Sequence, residues 1–432
     1  MYWTEIAILV GSFCVLLLSG VPITFSIGLS SILTMLCSIQ SLPAVTTIAQ
    51  RMATAIDSFA LLAIPFFILS GLLMNRGGIA RRLINFAKVL VGLLPGGLAF
   101  VNILAAMLFG AISGSAAAAA AAIGGFMTPL MEKEGYDKNY AAAVNITSAT
   151  TGLIIPPSNI MIVYSLASGG ISIAALFIAG YLPGMLVGLS LMLVSGIVAY
   201  RRGYRSTEHY TFRTSVLRLL DALPSLLLII IVIGGIVAGY FTPTEASAIA
   251  VLYTFILSVI IYREVKWKEI PSILRDAAAT TAIVMFLIGT SMGMSWMMSY
   301  ENIPQNISAA LIAISNSKIV IMLIINLILL VVGTFMDMTP AVLIFTPIFL
   351  PIVTQLGINP IHFGIIMILN LCIGLCTPPV GSVLFIGCGI AQTTIQKVFK
   401  PLIPLYIAMF LALMLVTYFP QITMFLPRLF GY

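Results

Sequence analysis

Four short segments hold most of the groups in this chain that could do chemistry: Ser113-Gly-Ser115, Gly152-Leu-Ile-Ile-Pro156-Pro157-Ser158-Asn159, Gly333-Thr-Phe-Met-Asp337-Met-Thr339 and Gly374-Leu-Cys-Thr377-Pro378-Pro379. They offer oxygen: hydroxyls, an amide, one carboxylate, and the backbone carbonyls freed wherever proline interrupts a helix. Such donors suit a hard, partly dehydrated cation such as Na⁺, and the positive ends of interrupted helices suit an anion. Bond-making chemistry has nothing comparable. His209 and His362 stand in no metal or catalytic spacing, and there is no HExxH, P-loop or GxSxG. The chain therefore reads as a non-enzyme without an organic cofactor. ATP cannot drive it directly, which leaves an ion gradient as the energy source.

The segments come in pairs. Gly152 and Gly374, the proline pairs 156–157 and 378–379, Pro129 and Pro351, Gly135 and Gly357, and Phe177 and Phe399 all recur at an offset of 222 residues, with Pro22 and Pro243 one residue out. Two diverged copies of one unit thus break an apolar helix at the same place. Broken backbone is tolerated at membrane depth only where it faces protein or a polar cavity, so paired breaks point to a central binding site. Blander readings exist for single residues. Ser113–Ser115, followed by alanines 116–122, could be a small-residue packing surface. Asp337 could cap the helix after Pro340, although a charged acid at depth costs at least about 2.5 kcal/mol. Thr242-Pro243-Thr244-Glu245 reads as a capping box, Asp57 and Glu301 as interfacial, and Cys372 with Cys376 as core packing.

Composition sets the class. Hydrophobic residues make up 61% of the chain and charged residues 8%, against about 25% in soluble proteins; the mean hydropathy is +1.16. The result is an all-α polytopic membrane protein. Its net charge of +7 sits in short loops, which gives no nucleic-acid signal. The start lacks the basic region of a signal peptide, so the first apolar segment is expected to be retained. Spans of roughly 20 residues are expected at about 6–19, 23–42, 53–74, 140–168 (broken) and 171–200. The second copy repeats them at about 223–240, 243–262, 277–299, 363–391 (broken) and 401–419. Residues 75–91 read as a surface helix. Stretches 97–131 and 319–353 read as re-entrant hairpins, giving ten crossings and two hairpins. Five crossings per copy invert the second copy relative to the first. This layout puts 17 of the 20 Lys and Arg residues on one side, leaving Arg51, Lys318 and Arg428 opposite. The positive-inside rule makes the rich side cytoplasmic and both termini periplasmic.

With these motifs in this order, the chain resembles the large membrane subunit of tripartite ATP-independent periplasmic (TRAP) transporters. The carriers are Gly110-Ala-Ile-Ser-Gly-Ser-Ala, Gly152-Leu-Ile-Ile-Pro-Pro-Ser-Asn, Gly333-Thr-Phe-Met-Asp-Met-Thr-Pro and Thr377-Pro-Pro-Val-Gly, spread over the whole length. The resemblance implies an elevator mechanism in the bacterial inner membrane. Scaffold elements would be 1–96 and 201–316, and transport elements 97–200 and 317–432. It implies coupling to at least two Na⁺, a periplasmic substrate-binding protein, and a small four-helix membrane subunit as a separate chain. By the same analogy, one Na⁺ site would use Ser113, Ser115, Gly152, Ile155 and Pro157, and its mate Gly333, Thr339, Gly374, Thr377 and Pro379. The substrate would lie between them, near Ser115, Ser158, Asn159 and Asp337. Sialic acid is favoured as the carboxylate substrate on general likeness, with a C4-dicarboxylate as the other choice.

No Lys or Arg is placed at mid-membrane in this layout, so an anionic substrate must be met by half-helix N-termini and co-bound cations. A stand-alone Na⁺/carboxylate symporter is the alternative, separated by its independence from a binding protein. A channel would show neither saturation nor ion coupling. Asp337→Asn is expected to impair uptake while leaving membrane insertion intact; wild-type uptake rates in that variant would retire Asp337 as a site residue.

Overall fold

A computed structural model of the chain describes residues 2–204, 211–315 and 317–432. All regular structure among them is helical, as the bilayer demands of a chain that must satisfy its own backbone. Eight helices are long and apolar enough to cross a membrane, or nine if the pair Lys138–Ile154 and Asn159–Ala167, bent by 51°, counts as one span. Tyr2–Leu18 and Ile23–Ser38 are shorter, at 17 and 16 residues, and are divided at Gly20 to Pro22. Several expected boundaries move, among them the starts of the spans expected at 277 and 401, which begin at Ile270 and Ile395. The third span begins at Phe59 rather than near Ala53, because a separate helix, Ser41–Ile56, ends at Asp57. Helix Phe212–Val237 starts well before Leu223, capped where Thr214 N–H donates to Thr211 Oγ1 (3.4 Å). Its early turns carry Arg213, Arg218 and Asp221, which hydropathy alone excludes from a span.

The elements that matter for function occur twice. Hairpin one comprises Gly97–Ser113 and Ala116–Lys133, turning at Gly114 with φ +61°, a left-handed conformation that glycine adopts without strain. Ser115 then caps the second arm, accepting from Ala118 N–H at 3.2 Å. Hairpin two comprises Lys318–Phe335 and Met338–Gln355, with Asp337 at the N-cap position of its second arm. Broken helix one runs Lys138–Ala149, Thr151–Ile154 and Asn159–Ala167. Broken helix two runs Pro360–Leu375 and Ser382–Ile390. The Pro156–Pro157 and Pro378–Pro379 bonds are both cis.

In each copy the first hairpin arm lies directly on its broken helix. A Cβ added to Gly152 would stand 2.2 Å from Gly110 Cα, and one added to Gly374 would stand 2.5 Å from Gly333 Cα. Buried polar pairs reinforce the same two crossings. Ser148 Oγ donates to Asn102 Oδ1 (3.4 Å), and Asn370 Nδ2 donates to Asn326 Oδ1 (2.7 Å).

The copies then exchange contacts. The short segment Asn159–Ala167 packs on Met338–Gln355 of the other hairpin, and Ser382–Ile390 packs on Ala116–Lys133. Near the centre Cys372 Sγ donates to the carbonyl of Thr150, its own repeat mate, at 3.4 Å. The flanking spans follow suit: Ala63–Arg76 packs on Pro243–Phe255, and Ile23–Ser38 on Ile270–Tyr300. At one end of the molecule Arg76 pairs with Asp276 (2.8 Å), Arg81 with Glu264 (2.6 Å) and Arg82 with Asp221 (3.1 Å). These pairs put the helix ends and turns near 76–82, 221 and 264–276 on one face, as the charge layout requires. Exposed pairs contribute about 0–1 kcal/mol each, so they mark that face more than they hold it.

Gly152→Ala must push two helix backbones apart, a strain of about 1–3 kcal/mol. The purified variant is expected to unfold at clearly lower temperature than wild type. Gly125→Ala, which meets no atom within 4 Å, should leave the midpoint unchanged.

Candidate functional site

A cavity of about 210 Å³ opens where the two copies meet. Ser115 and Asn159 come from the first copy; Asp337, Thr339 and Ser382 come from the second. Its remaining wall includes Ile64, Ile68, Thr280 and Val284, from spans outside the hairpins and broken helices. Four helices begin at this cavity: Ala116–Lys133, Asn159–Ala167, Met338–Gln355 and Ser382–Ile390. Their first N–H groups and positive dipole ends make the site electropositive although no Lys, Arg or His lines it. The one charge in the wall is negative. Asp337 faces the cavity, Ser382 Oγ donates to its Oδ1 (3.4 Å), and it makes no side-chain cap bond to its own helix.

The first break is rich in uncommitted oxygen. A Cβ at Gly114 would lie 3.5 Å from Pro157 O and from Asn159 N and Nδ2, so the hairpin tip touches the broken segment. Within one residue of that contact, Ser113 Oγ, Ser158 Oγ and Asn159 Oδ1 are buried without a hydrogen-bond partner. Buried oxygens left unpaired cost about 1–3 kcal/mol each, and a small cation would relieve that cost. These residues thus fit a small cation such as Na⁺.

The second break differs. Thr377 Oγ1 donates to Ile373 O (2.7 Å), Val380 N–H donates to Thr334 O (3.1 Å), and Tyr406 OH donates to Cys376 O. The Leu375 and Thr377 carbonyls converge near Gly381, each 2.8 Å from where its Cβ would stand.

The residues expected from sequence are therefore sorted by the fold. Ser115, Asn159, Asp337 and Thr339 share one cavity, while Ser113 and Pro157 lie at the hairpin–break contact. Ser158 does not line the cavity: it is fully buried behind the wall, because it precedes a helix whose first residue, Asn159, takes the exposed place. Gly152, Gly333 and Gly374 serve the close helix crossings, and the Ile155 side chain packs against Gly184. Pro379 belongs to the second cis turn. Ser382 and Thr280 were not anticipated. A hydroxyl opening the segment after Gly381, and a threonine pair at 280–281 inside an apolar helix, are the signals that could have found them.

Other expectations fall into structural roles. His362 is a core histidine, with Nδ1 against Thr423 Oγ1 (2.7 Å) and Nε2 against Thr417 O (3.3 Å); His209 lies outside the described residues. Glu245 completes the capping box with Thr242. Asp57 and Glu301 stand at helix ends, and Cys372 and Cys376 are buried in packing. No cluster of three or more His, Cys, Asp or Glu suited to a metal occurs among the described residues.

Residues 10–422 match the family described as the tripartite ATP-independent periplasmic transporter, DctM component. The chain is 57% identical to the uncharacterized protein YgiK of Salmonella typhimurium, over 100% of this chain and 99% of that one. It is 40% identical to the isethionate TRAP transporter permease protein DctMQ of Oleidesulfovibrio alaskensis, over 98% of this chain and 66% of that one. With the sialic acid TRAP transporter large permease protein SiaM of Vibrio cholerae it shares 37%, over 96% and 97%. Among solved structures, the YdaH transporter of Alcanivorax borkumensis has the same fold, with a TM-score of 0.65, 13% identity, and coverage of 89% and 90%. The relatives named for a function are permeases rather than enzymes. A multi-pass helical chain whose hairpins and broken helices close around one cavity, matched over nearly its whole length, belongs to the DctM family of TRAP transporter large permease subunits.

Proposed function

We propose that this subunit imports an organic acid together with Na⁺ across the bacterial inner membrane, with both termini on the periplasmic side. The observation that carries the reading is a cavity built from four helix N-termini and one carboxylate, with no cationic side chain in its wall. Helix ends favour the substrate anion, but Asp337 opposes it. A co-bound cation beside Ser113, Ser115 and Pro157 offsets that repulsion and supplies oxygen-bound positive charge where the buried hydroxyls lack partners. Anion affinity then depends on Na⁺, which is the thermodynamic condition for symport. The second cation belongs at Thr339, Thr377 and the carbonyls near Gly381.

The moving body in this reading comprises 97–200 and 317–432, tied together by the exchanged contacts of hairpins and short segments. It slides as an elevator past the spans of 1–96 and 201–316. Thr280 and Val284 in the cavity wall, from a span of 201–316, support this reading. A periplasmic binding protein delivers substrate, and a small membrane subunit completes the system. Sialic acid remains the favoured substrate and a C4-dicarboxylate the second; relatives named for isethionate and sialic acid both take acids.

In proteoliposomes holding both membrane subunits, supplied with binding protein, uptake is expected to fall to background when choline replaces Na⁺ at constant pH. Persistence of uptake would defeat Na⁺ coupling, and uptake without the binding protein would make the chain self-sufficient. Ser115→Ala is expected to raise the half-saturating Na⁺ concentration about fivefold, the loss of one oxygen contact worth about 1 kcal/mol; an unchanged titration would remove Ser115 from the ion site. In competition for the labelled acid, sialic acid should displace ahead of succinate or isethionate, and the reverse order retires that substrate alone.

A further inference from the structure

The second break frees three consecutive carbonyls, and a side chain from another span holds the middle one. Leu375, Cys376 and Thr377 close the helix Pro360–Leu375 and precede Pro378 and Pro379, which have no N–H to give back. Val380 N–H, which a continuing helix would offer to Cys376 O, donates instead to Thr334 O (3.1 Å). The three oxygens then part. Those of Leu375 and Thr377 converge near Gly381, each 2.8 Å from where a Cβ on that residue would stand. That of Cys376 accepts from the hydroxyl of Tyr406, on the last long span, Ile395–Tyr418. Two carbonyls around a space that a methyl group would fill make a cradle suited to a small cation.

The first copy covers the same carbonyl in another way. Ile154 is the repeat mate of Cys376, and Gly184 that of Tyr406. There the helix Ile173–Arg202 comes in close at two glycines. A Cβ on Gly180 would stand 2.3 Å from Ile154 O, and one on Gly184 would stand 2.3 Å from the Ile155 side chain. In the second copy Leu402 and Tyr406 replace those glycines. Their bulk holds the span off, and a phenol bridges the gap to the carbonyl. We infer that, granted the reading of this break as a Na⁺ site, Tyr406 is a positioning residue for the second cation. By drawing Cys376 O toward the last span, it leaves the Leu375 and Thr377 carbonyls turned to the cradle at Gly381. Tyr406 acts through the backbone and does not touch the ion. Without its hydroxyl, Cys376 O has no donor at membrane depth, and the segment must turn to find one.

Equilibrium binding of radiolabelled Na⁺ to the purified full chain tests this, beside Na⁺-dependent uptake in the complete system. Tyr406→Phe removes one hydroxyl and keeps the ring. It is expected to raise the half-saturating Na⁺ concentration about threefold in both measurements, one lost hydrogen bond felt at one of two ions. The maximal uptake rate at saturating Na⁺ should be retained. Phe410→Leu trims an exposed ring about one turn further along the same span and should leave both titrations unchanged. In a Gly381→Ala background, where a methyl group fills the cradle, Tyr406→Phe should cost nothing more. Wild-type Na⁺ affinity in Tyr406→Phe, an equal loss in Phe410→Leu, or a further threefold loss on top of Gly381→Ala would overturn the inference. A wild-type chain that binds no Na⁺ would instead remove the ion reading beneath it. Should Gly381→Ala fail to fold, the comparison of Tyr406→Phe with Phe410→Leu decides.

Discussion

Inside a bilayer every backbone N–H and C=O must find a partner within the protein, and this chain breaks two helices there. Each break is survivable because it is covered from both sides. Its own hairpin lies against it through a glycine-to-glycine crossing, Gly110 on Gly152 and Gly333 on Gly374. The other copy's hairpin then packs on the short segment beyond the break. Neither copy can close its interruption alone. The exchange of partners, including the contact between Cys372 and its repeat mate Thr150, is what a two-fold relation between the copies produces. The cavity is the space left where the two covered breaks face each other.

That arrangement also sets the electrostatics. Helices that stop at the centre of a membrane leave unpaired donors at one end, and here four such ends meet around one cavity. The field is built from backbone, so it binds anions without a lysine or arginine at depth, where a fixed cation would be costly to insert. Asp337 sets one negative side chain within that field.

The copies have diverged in the groups at the hairpin tips and breaks. Ser115 and Asp337 are repeat mates, yet one is a hydroxyl cap and the other a carboxylate facing the cavity. The first break keeps buried hydroxyls unpaired, whereas the second has spent several of its oxygens on internal bonds. Similar backbones thus carry unequal sets of oxygen donors. The flanks diverge as well: basic side chains on Ile79–Val91 and Lys133 line a groove on one face of the first copy.

Much of this was legible in the residues. Proline pairs and glycines at an offset of 222 disclosed the duplication and both breaks, because helix interruption is a local property of the backbone. Charge asymmetry anticipated the face on which Arg76, Arg81 and Arg82 find Asp276, Glu264 and Asp221. Hydropathy was less reliable at span ends, since Asp57 and the charged start of Phe212–Val237 are set by capping and the interface. What the tertiary structure alone decided was which oxygens face one another. Ser158 turned inward while Ser382 and Thr280 turned toward the cavity, and Gly152, Gly333 and Gly374 lie at the close helix crossings. A motif specifies where a chain bends, but the direction of each side chain beyond the bend depends on the partner helix from the other copy, more than two hundred residues away.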